Sequence, residues 1–365
     1  MGGRALLRAA LPIAAILSFI AVSGLIVMAA VSSGTLGFDF QAYHQAASRV
    51  LAGERLYDPS VQQTGGFGLF YYPPPFVLTV LPLALLPVAA ATWAWLAISV
   101  GMLVGGIALM PVRPTVRWLT MLLAGLSWPV AYALKLGQVG PLLLLLFAIG
   151  WRWLDRPVAV GVAGAVGAIV KIQPGLILVW AALTGRWAAA KIGIVAGLVA
   201  GILATIVLGG PSVWFDYLAL LRNVSDPIAT PHNFTPGAVV FQAGLPAGVA
   251  TAVQAISSVL VVVVVLVAVV RTPASASYMA TVIASQLLSP VLWDHYAMLL
   301  LLPVAWLLER GRWWAVLIPL VTSALTLVVT MPPVTYPVLF WLALLAVLAV
   351  GLREGRSPVP GPAGG

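Results

Sequence analysis

Apolar runs follow one another along almost the whole chain, at about 9–31, 74–110, 118–134, 139–151, 157–185, 192–209, 248–271, 276–291, 296–309, 313–331 and 337–351. A bilayer-spanning helix needs about 20 predominantly apolar residues, and a water-soluble domain has no interior large enough to bury so many such runs. Only 7% of the 365 residues are charged, against about 25% in soluble domains. A soluble fold is therefore excluded. The expectation is an all-α integral membrane protein of about 11–13 transmembrane helices, laid out as one membrane domain over 1–352 and a disordered basic, Pro/Gly-rich cytoplasmic tail over 353–365.

Eighteen Lys+Arg against nine Asp+Glu leave a net charge of +9. The basic residues sit in short turns between apolar runs, as Arg4/Arg8, Arg113/Arg117, Arg152/Arg156, Arg186/Lys191, Arg310/Arg312 and Arg353/Arg356. That is the pattern of topology determinants at a cytoplasmic membrane face, not of a nucleic-acid-binding surface. The first run follows Arg4 and Arg8, is too long for a signal-peptide core and has no clear cleavage site after it, so it is expected to remain as the first transmembrane helix. Without cysteines, disulfides and thiolate metal sites are absent, and the redox compartment stays open.

The positive-inside rule places two mixed-polarity loops, 32–72 and 210–247, on the extracytoplasmic side. In the first, Phe40, Tyr43, Ala47, Val50 and Leu51 recur at helical spacing with Gln41, Gln45, Ser48 and Arg49 between them. An amphipathic helix along the membrane surface is expected there. The second carries Asp216, Asp226, His232 and Asn233. The run 157–185 is interrupted by Lys171-Ile-Gln-Pro174-Gly, and broken helices at membrane depth are tolerated where they line a cavity. Gly161, Gly164 and Gly167 recur at helical spacing and read as a site of close helix packing.

Three of the nine acidic residues, Asp39, Glu54 and Asp58, fall in the first external loop. Asp39 comes eight residues past the first apolar run and directly before the amphipathic helix, at the membrane–water boundary. Two readings fit it: an N-cap for that helix, or a catalytic carboxylate. Lys171 and Lys135 interrupt apolar stretches; each either snorkels to an interface or stands in a functional site. Asp294 and His295 either pin a helix end or contact substrate. The histidines at 44, 232 and 295 stand at no mutual ligand spacing and the Asp residues form no DxD-like pair, so no metal and no cofactor are expected.

Several short stretches carry a resemblance. They are Gly37-Phe-Asp39-Phe-Gln-Ala-Tyr43-His44, Leu56-Tyr57-Asp58-Pro59, Phe70-Tyr71-Tyr72-Pro73-Pro74-Pro75-Phe76, Leu136-Gly137-Gln138-Val139, Lys171-Ile-Gln-Pro174 and Ser289-Pro290-Val-Leu-Trp293-Asp294-His295-Tyr296. In order and spacing the chain resembles the polyprenol-phosphate-mannose-dependent mannosyltransferases of glycosyltransferase family 87, within the GT-C superfamily. The resemblance implies a GT-C-type fold and a sugar moved from a polyprenyl phosphate to a hydroxyl of a lipid-anchored glycan, outside the membrane. It implies Asp39 as the catalytic base, with Lys171, His295, Lys135, Gln138, His44, Tyr72 and Asp294 as candidates for contact with donor phosphate or substrate.

One carboxylate suffices for such chemistry. It removes the acceptor proton during attack, and the leaving group is already a phosphate, so the paired acid of glycosidases is less needed. Direct attack predicts inversion. The expected partners are the lipid-linked donor, a lipid-anchored acceptor and membrane lipids, with no nucleic acid. Acceptor recognition is expected from the two external loops. The bias to Arg, Ala and Gly suggests a high-GC bacterial source, hence a multi-pass protein of the bacterial plasma membrane. A pentosyl, for instance arabinofuranosyl, donor fits the same chemistry. A transporter or flippase would instead show acidic residues in mid-span and paired repeats, and a non-catalytic scaffold would leave Lys171 unexplained.

Overall fold

The computed structural model describes residues 3–57, 69–223, 227–323 and 331–355. Asp58, Asp226 and most of the expected tail lie outside the described residues. The fold is all-α, with no strand among the described residues. Its helices are α1 (Gly3–Ser32), α2 (Phe38–Leu51), α3 (Pro74–Ala84), α4 (Val88–Leu109), α5 (Pro114–Leu126) and α6 (Trp128–Leu136). They continue as α7 (Gly140–Arg152), α8 (Pro157–Val170), α9 (Leu176–Leu183), α10 (Trp187–Val207), α11 (Ser212–Asn223) and α12 (Pro236–Gln242). The last are α13 (Ala247–Arg271), α14 (Ala274–Leu287), α15 (Leu301–Glu309), α16 (Leu317–Val321) and α17 (Thr335–Glu354).

Among the described residues, five helices, α1 from Ala10 onward, α4, α10, α13 and α17, are long and apolar enough to cross a membrane singly. Counting apolar runs suggests about 11–13 crossings; the difference arises because several runs fold as shorter or broken helices. Proline and glycine cause the breaks. Proline in the first helical turn opens α3, α5, α6, α7 and α8, where its missing N–H costs nothing. The α6–α7 pair bends by 119° at a turn whose first residue, Gly137, has φ 73°. Exposed Leu17, Ile20, Leu25 and Met28 on α1, and Ile194, Leu198, Ile202 and Ile206 on α10, form surfaces that lipid rather than water would cover.

The centre is α14, buried from Ala276 to Leu287. Its polar residues are satisfied locally or by neighbours: Thr281 Oγ1 donates to Ser277 O at 2.8 Å, Trp180 Nε1 donates to Ser277 Oγ at 3.0 Å and Tyr278 Oη donates to Phe147 O at 3.0 Å. In the α8–α10 contact, a Cβ at Gly161 would fall 2.5 Å from Ala189 O, so the glycines do provide close packing.

Charge collects at the N-terminal end of α14. Arg310 bonds Ser275 and Glu354, Arg113 pairs with Glu309, and Arg186, which pairs with Asp155, packs on the Trp180 held by Ser277. Glu354 closes α17. The C-terminal end of α14 leads instead to the turn 289–293, on which the second loop folds. That loop contains α11 and α12, and Asn233, fully buried, fastens it: its Nδ2 donates to Pro227 O and Pro290 O, and its Oδ1 accepts from Leu292 N and Thr235 N.

Candidate active site

Helix α2 is amphipathic, burying Phe40, Ala42, Tyr43, Ala46 and Ala47 against α3, α4 and α6. Phe40 stacks on Trp95 with centroids 5.4 Å apart, and Tyr43 meets Tyr72 and Phe76 edge-on at 4.9 and 5.4 Å. Leu51, expected on the apolar face, is exposed at the helix end. The N-cap is Gly37, with φ 70° and no side-chain capping bond. Its amide donates to Lys135 O at 2.8 Å. Asp39 is therefore not the cap: it lies one residue inside the helix, where a carboxylate is favoured by the macrodipole, and its side chain points elsewhere.

That destination is Gln138, in the turn between α6 and α7. Gln138 Nε2 donates to Asp39 Oδ2, while Gln138 Oε1 accepts from Tyr72 Oη at 3.3 Å. The Tyr43 and Tyr72 hydroxyls are 2.6 Å apart. A hydroxyl has one proton, and that of Tyr72 goes to Gln138, so Tyr43 donates to Tyr72. Burial pushes both phenols well above their ordinary pKa, which keeps them as neutral donors. The chain Tyr43 to Tyr72 to Gln138 thus has one direction, and it presents the Gln138 amide hydrogens to Asp39.

Two further groups, Lys171 and His295, act on the same carboxylate. Lys171 occupies the break after α8 in an extended conformation; its Nζ donates to Tyr296 Oη at 2.5 Å and lies 4.0 Å from the Tyr296 ring centre. The break is tied across by Gln173 Nε2, which donates to Ser289 Oγ at 2.9 Å. An ammonium has three donor positions, and one is used. His295 is the second residue of the 3-10 turn Asp294–Leu300 and is 4% exposed; its Nδ1 lies 3.5 Å from Asp294 Oδ1, and neither ring nitrogen has a hydrogen-bond partner. Burial raises the Asp39 carboxyl above its ordinary pKa, and the charge of His295, the Gln138 hydrogen bond and Lys171 each pull it back.

The remaining candidates are placed as follows. Asp294 Oδ1 accepts from the His295 amide at 2.7 Å and its Oδ2 from Trp128 Nε1 at 3.3 Å, so it pins the turn that carries His295. Tyr72 belongs to the clamp on Asp39. Lys135 sits 5.5 Å from the centre of the Tyr132 ring, not with Lys171. His44 stands apart, its ring nitrogen 3.0 Å from Leu86 O at the end of α3. Two residues of the site are not candidates from the sequence: Tyr43, which reads as an apolar position of α2, and Tyr296, which follows His295 without any signal of its own.

A half-buried carboxylate with one oxygen held, a lysine ammonium with open donor positions and a buried imidazole can accept a proton from a hydroxyl and hold an anionic leaving group. A family model described as glycosyltransferase family 87 matches residues 70–293, more than half of the chain. The matched stretch contains Tyr72, Lys135, Gln138 and Lys171; it begins after Asp39 and His44 and ends just before Asp294. Neither a curated protein nor a solved structure matches the chain.

Proposed function

The chain belongs to glycosyltransferase family 87, as a multi-pass membrane protein, and on that footing we propose that it is an inverting transferase whose catalytic base is Asp39. The donor in this reading is polyprenyl-phosphate-mannose, the acceptor a hydroxyl of a membrane glycolipid or lipoglycan, and the fold that of the GT-C superfamily. The observation that carries it is the convergence on Asp39 of Gln138, Lys171 and His295, each delivered by a break between helices.

The acceptor oxygen attacks the anomeric carbon while its proton passes to the free Asp39 Oδ1. The bond from that carbon to the phosphate oxygen breaks, and the polyprenyl phosphate leaves with the electron pair. Lys171, with two donor positions open, and His295 stabilise the charge that gathers on the phosphate, an effect enlarged where water is excluded. One displacement inverts the anomeric centre. The site lies at the end of α14 opposite the Arg113, Arg186 and Arg310 cluster. The positive-inside rule then favours an extracytoplasmic site in a bacterial plasma membrane.

The test is transfer of radiolabelled mannose from polyprenyl-phosphate-mannose to endogenous lipids, in membranes with matched levels of wild type, Asp39→Asn and Asp39→Ala. Both variants are expected to lose activity by about 10²–10⁴, the range of a positioned general base. Activity that survives in both overturns the assignment. Transfer by the wild type only from a polyprenyl-phosphate arabinofuranose donor replaces mannose with a pentose and leaves the mechanism standing.

A further inference from the structure

Helix α6 is buried at all but three positions. Trp128, Tyr132 and Lys135 remain partly open, and their spacing places them on one face. The Trp128 and Tyr132 rings stack with centroids 4.9 Å apart at 13°. Stacking occupies one face of each ring, so the open surface consists of outer faces and edges. Trp128 donates to Asp294 Oδ2, and a carboxylate offers about four lone-pair positions, two of which are filled here. Among the described residues, the Tyr132 hydroxyl and the Lys135 ammonium have no hydrogen-bond partner. The His295 ring, 6.3 Å from that of Tyr132, has Nδ1 3.5 Å from Asp294 Oδ1 and adds a buried Nε2 without a hydrogen bond, a costly arrangement unless a ligand satisfies it.

We propose that this face of α6, together with Asp294, is a saccharide subsite that holds the sugar of the acceptor. The inference rests on the reading of the chain as a transferase with a lipid-linked donor. A pyranose or furanose ring has an apolar C–H face and a rim of hydroxyls, which match an aromatic pair flanked by a carboxylate, a phenol and an ammonium. A lipid tail would leave those polar groups stranded in hydrocarbon. Position favours the acceptor over the donor: the Lys135 carbonyl holds Gly37, two residues before the base, whereas the phosphate cation Lys171 stands on Tyr296. The His295 ring touches both groups, at 6.3 Å to Tyr132 and 4.9 Å to Tyr296. Acceptor recognition then comes from a helix within the bundle, not only from the external loops.

The test is calorimetric titration of full-length protein in lipid nanodiscs with hexyl α-mannoside, hexyl β-glucoside and hexyl α-arabinofuranoside, below their micellar concentrations. Wild type is expected to bind at least one saturably. Trp128→Ala and Tyr132→Ala should each weaken that binding about tenfold, equivalent to ~1.4 kcal/mol. Trp128→Phe, which keeps an aromatic ring, should bind better than Trp128→Ala, and Trp93→Ala, on the lipid-facing side of α4, should bind as wild type. Unchanged binding in Trp128→Ala and Tyr132→Ala overturns the proposal. So does the absence of saturable binding to any of the three, or an affinity that follows the alkyl chain and ignores the sugar. If wild type binds a glycoside yet transfers nothing from any polyprenyl-phosphate sugar, the subsite stands and the transferase reading falls.

Discussion

Asp39 has one carboxylate oxygen held by Gln138 and the other without a partner among the described residues. This asymmetry leads to two expectations. The Gln138 hydrogen bond favours the ionised carboxylate and lowers its pKa, so with Asp39 as the proposed base, Gln138→Ala should move the acidic limb of the pH–rate profile to higher pH, besides slowing transfer. A purely structural role for Gln138 would lower activity at every pH without moving the limb. The second expectation concerns stability. Burial leaves the Asp39 pKa higher in the folded than in the unfolded chain, so the folded state binds the extra proton, and wild-type stability falls as pH rises from the ordinary carboxylate range through the raised value. Asp39→Asn, neutral at all pH, should therefore melt at or above the wild-type temperature at neutral pH while remaining inactive. Differential scanning calorimetry in nanodiscs checks this; an Asp39→Asn protein that melts well below wild type contradicts it.

The residues of the site stand where helices start or stop, and two glycines set one of these meetings. Gly37 and Gly137 both have positive φ, and a Cβ on Gly137 would fall 3.5 Å from Gly37 Cα and 2.7 Å from Phe40 Cβ. Their contact brings the start of α2 against the α6–α7 turn, hence Asp39 against Gln138. Gly137→Ala should destabilise the protein by about 1–2 kcal/mol from the left-handed backbone alone, with more from the clash. It should also lower transfer, since the turn carries Gln138. Chemical denaturation with matched activity assays reads both; an Ala variant with wild-type stability and rate would remove this role from the turn.

At the scale of the whole molecule, α14 separates two ends of opposite character: ion pairs of Arg113, Arg186 and Arg310 at one, the Asp39 site at the other. The native chain has no cysteine, which makes sidedness directly measurable. In intact cells, Glu54→Cys, in the exposed turn after α2, should react with a membrane-impermeant maleimide. Arg353→Cys, at the end of α17, should react only after the cells are opened. Labelling of Glu54→Cys only after the cells are opened would overturn the extracytoplasmic placement of the site.

The membrane class, the helical content and the amphipathic α2 were legible in the sequence because each depends on local composition and period. Asp39 and Lys171 were legible as candidates for a related reason: a charge is conspicuous in an apolar chain. The number of full crossings was not legible, since the same apolar run can be one helix or two pieces bent at a glycine, and only packing decides. Nor was it legible that Asp39 leaves the cap position to Gly37. Gly37 and Gln138 are 101 residues apart in sequence, and the carboxylate turns away from its own helix end because the fold brings a hydrogen-bonding amide to it. The roles of Tyr43, Tyr296 and the open face of α6 depend on such distant contacts, which no local pattern encodes.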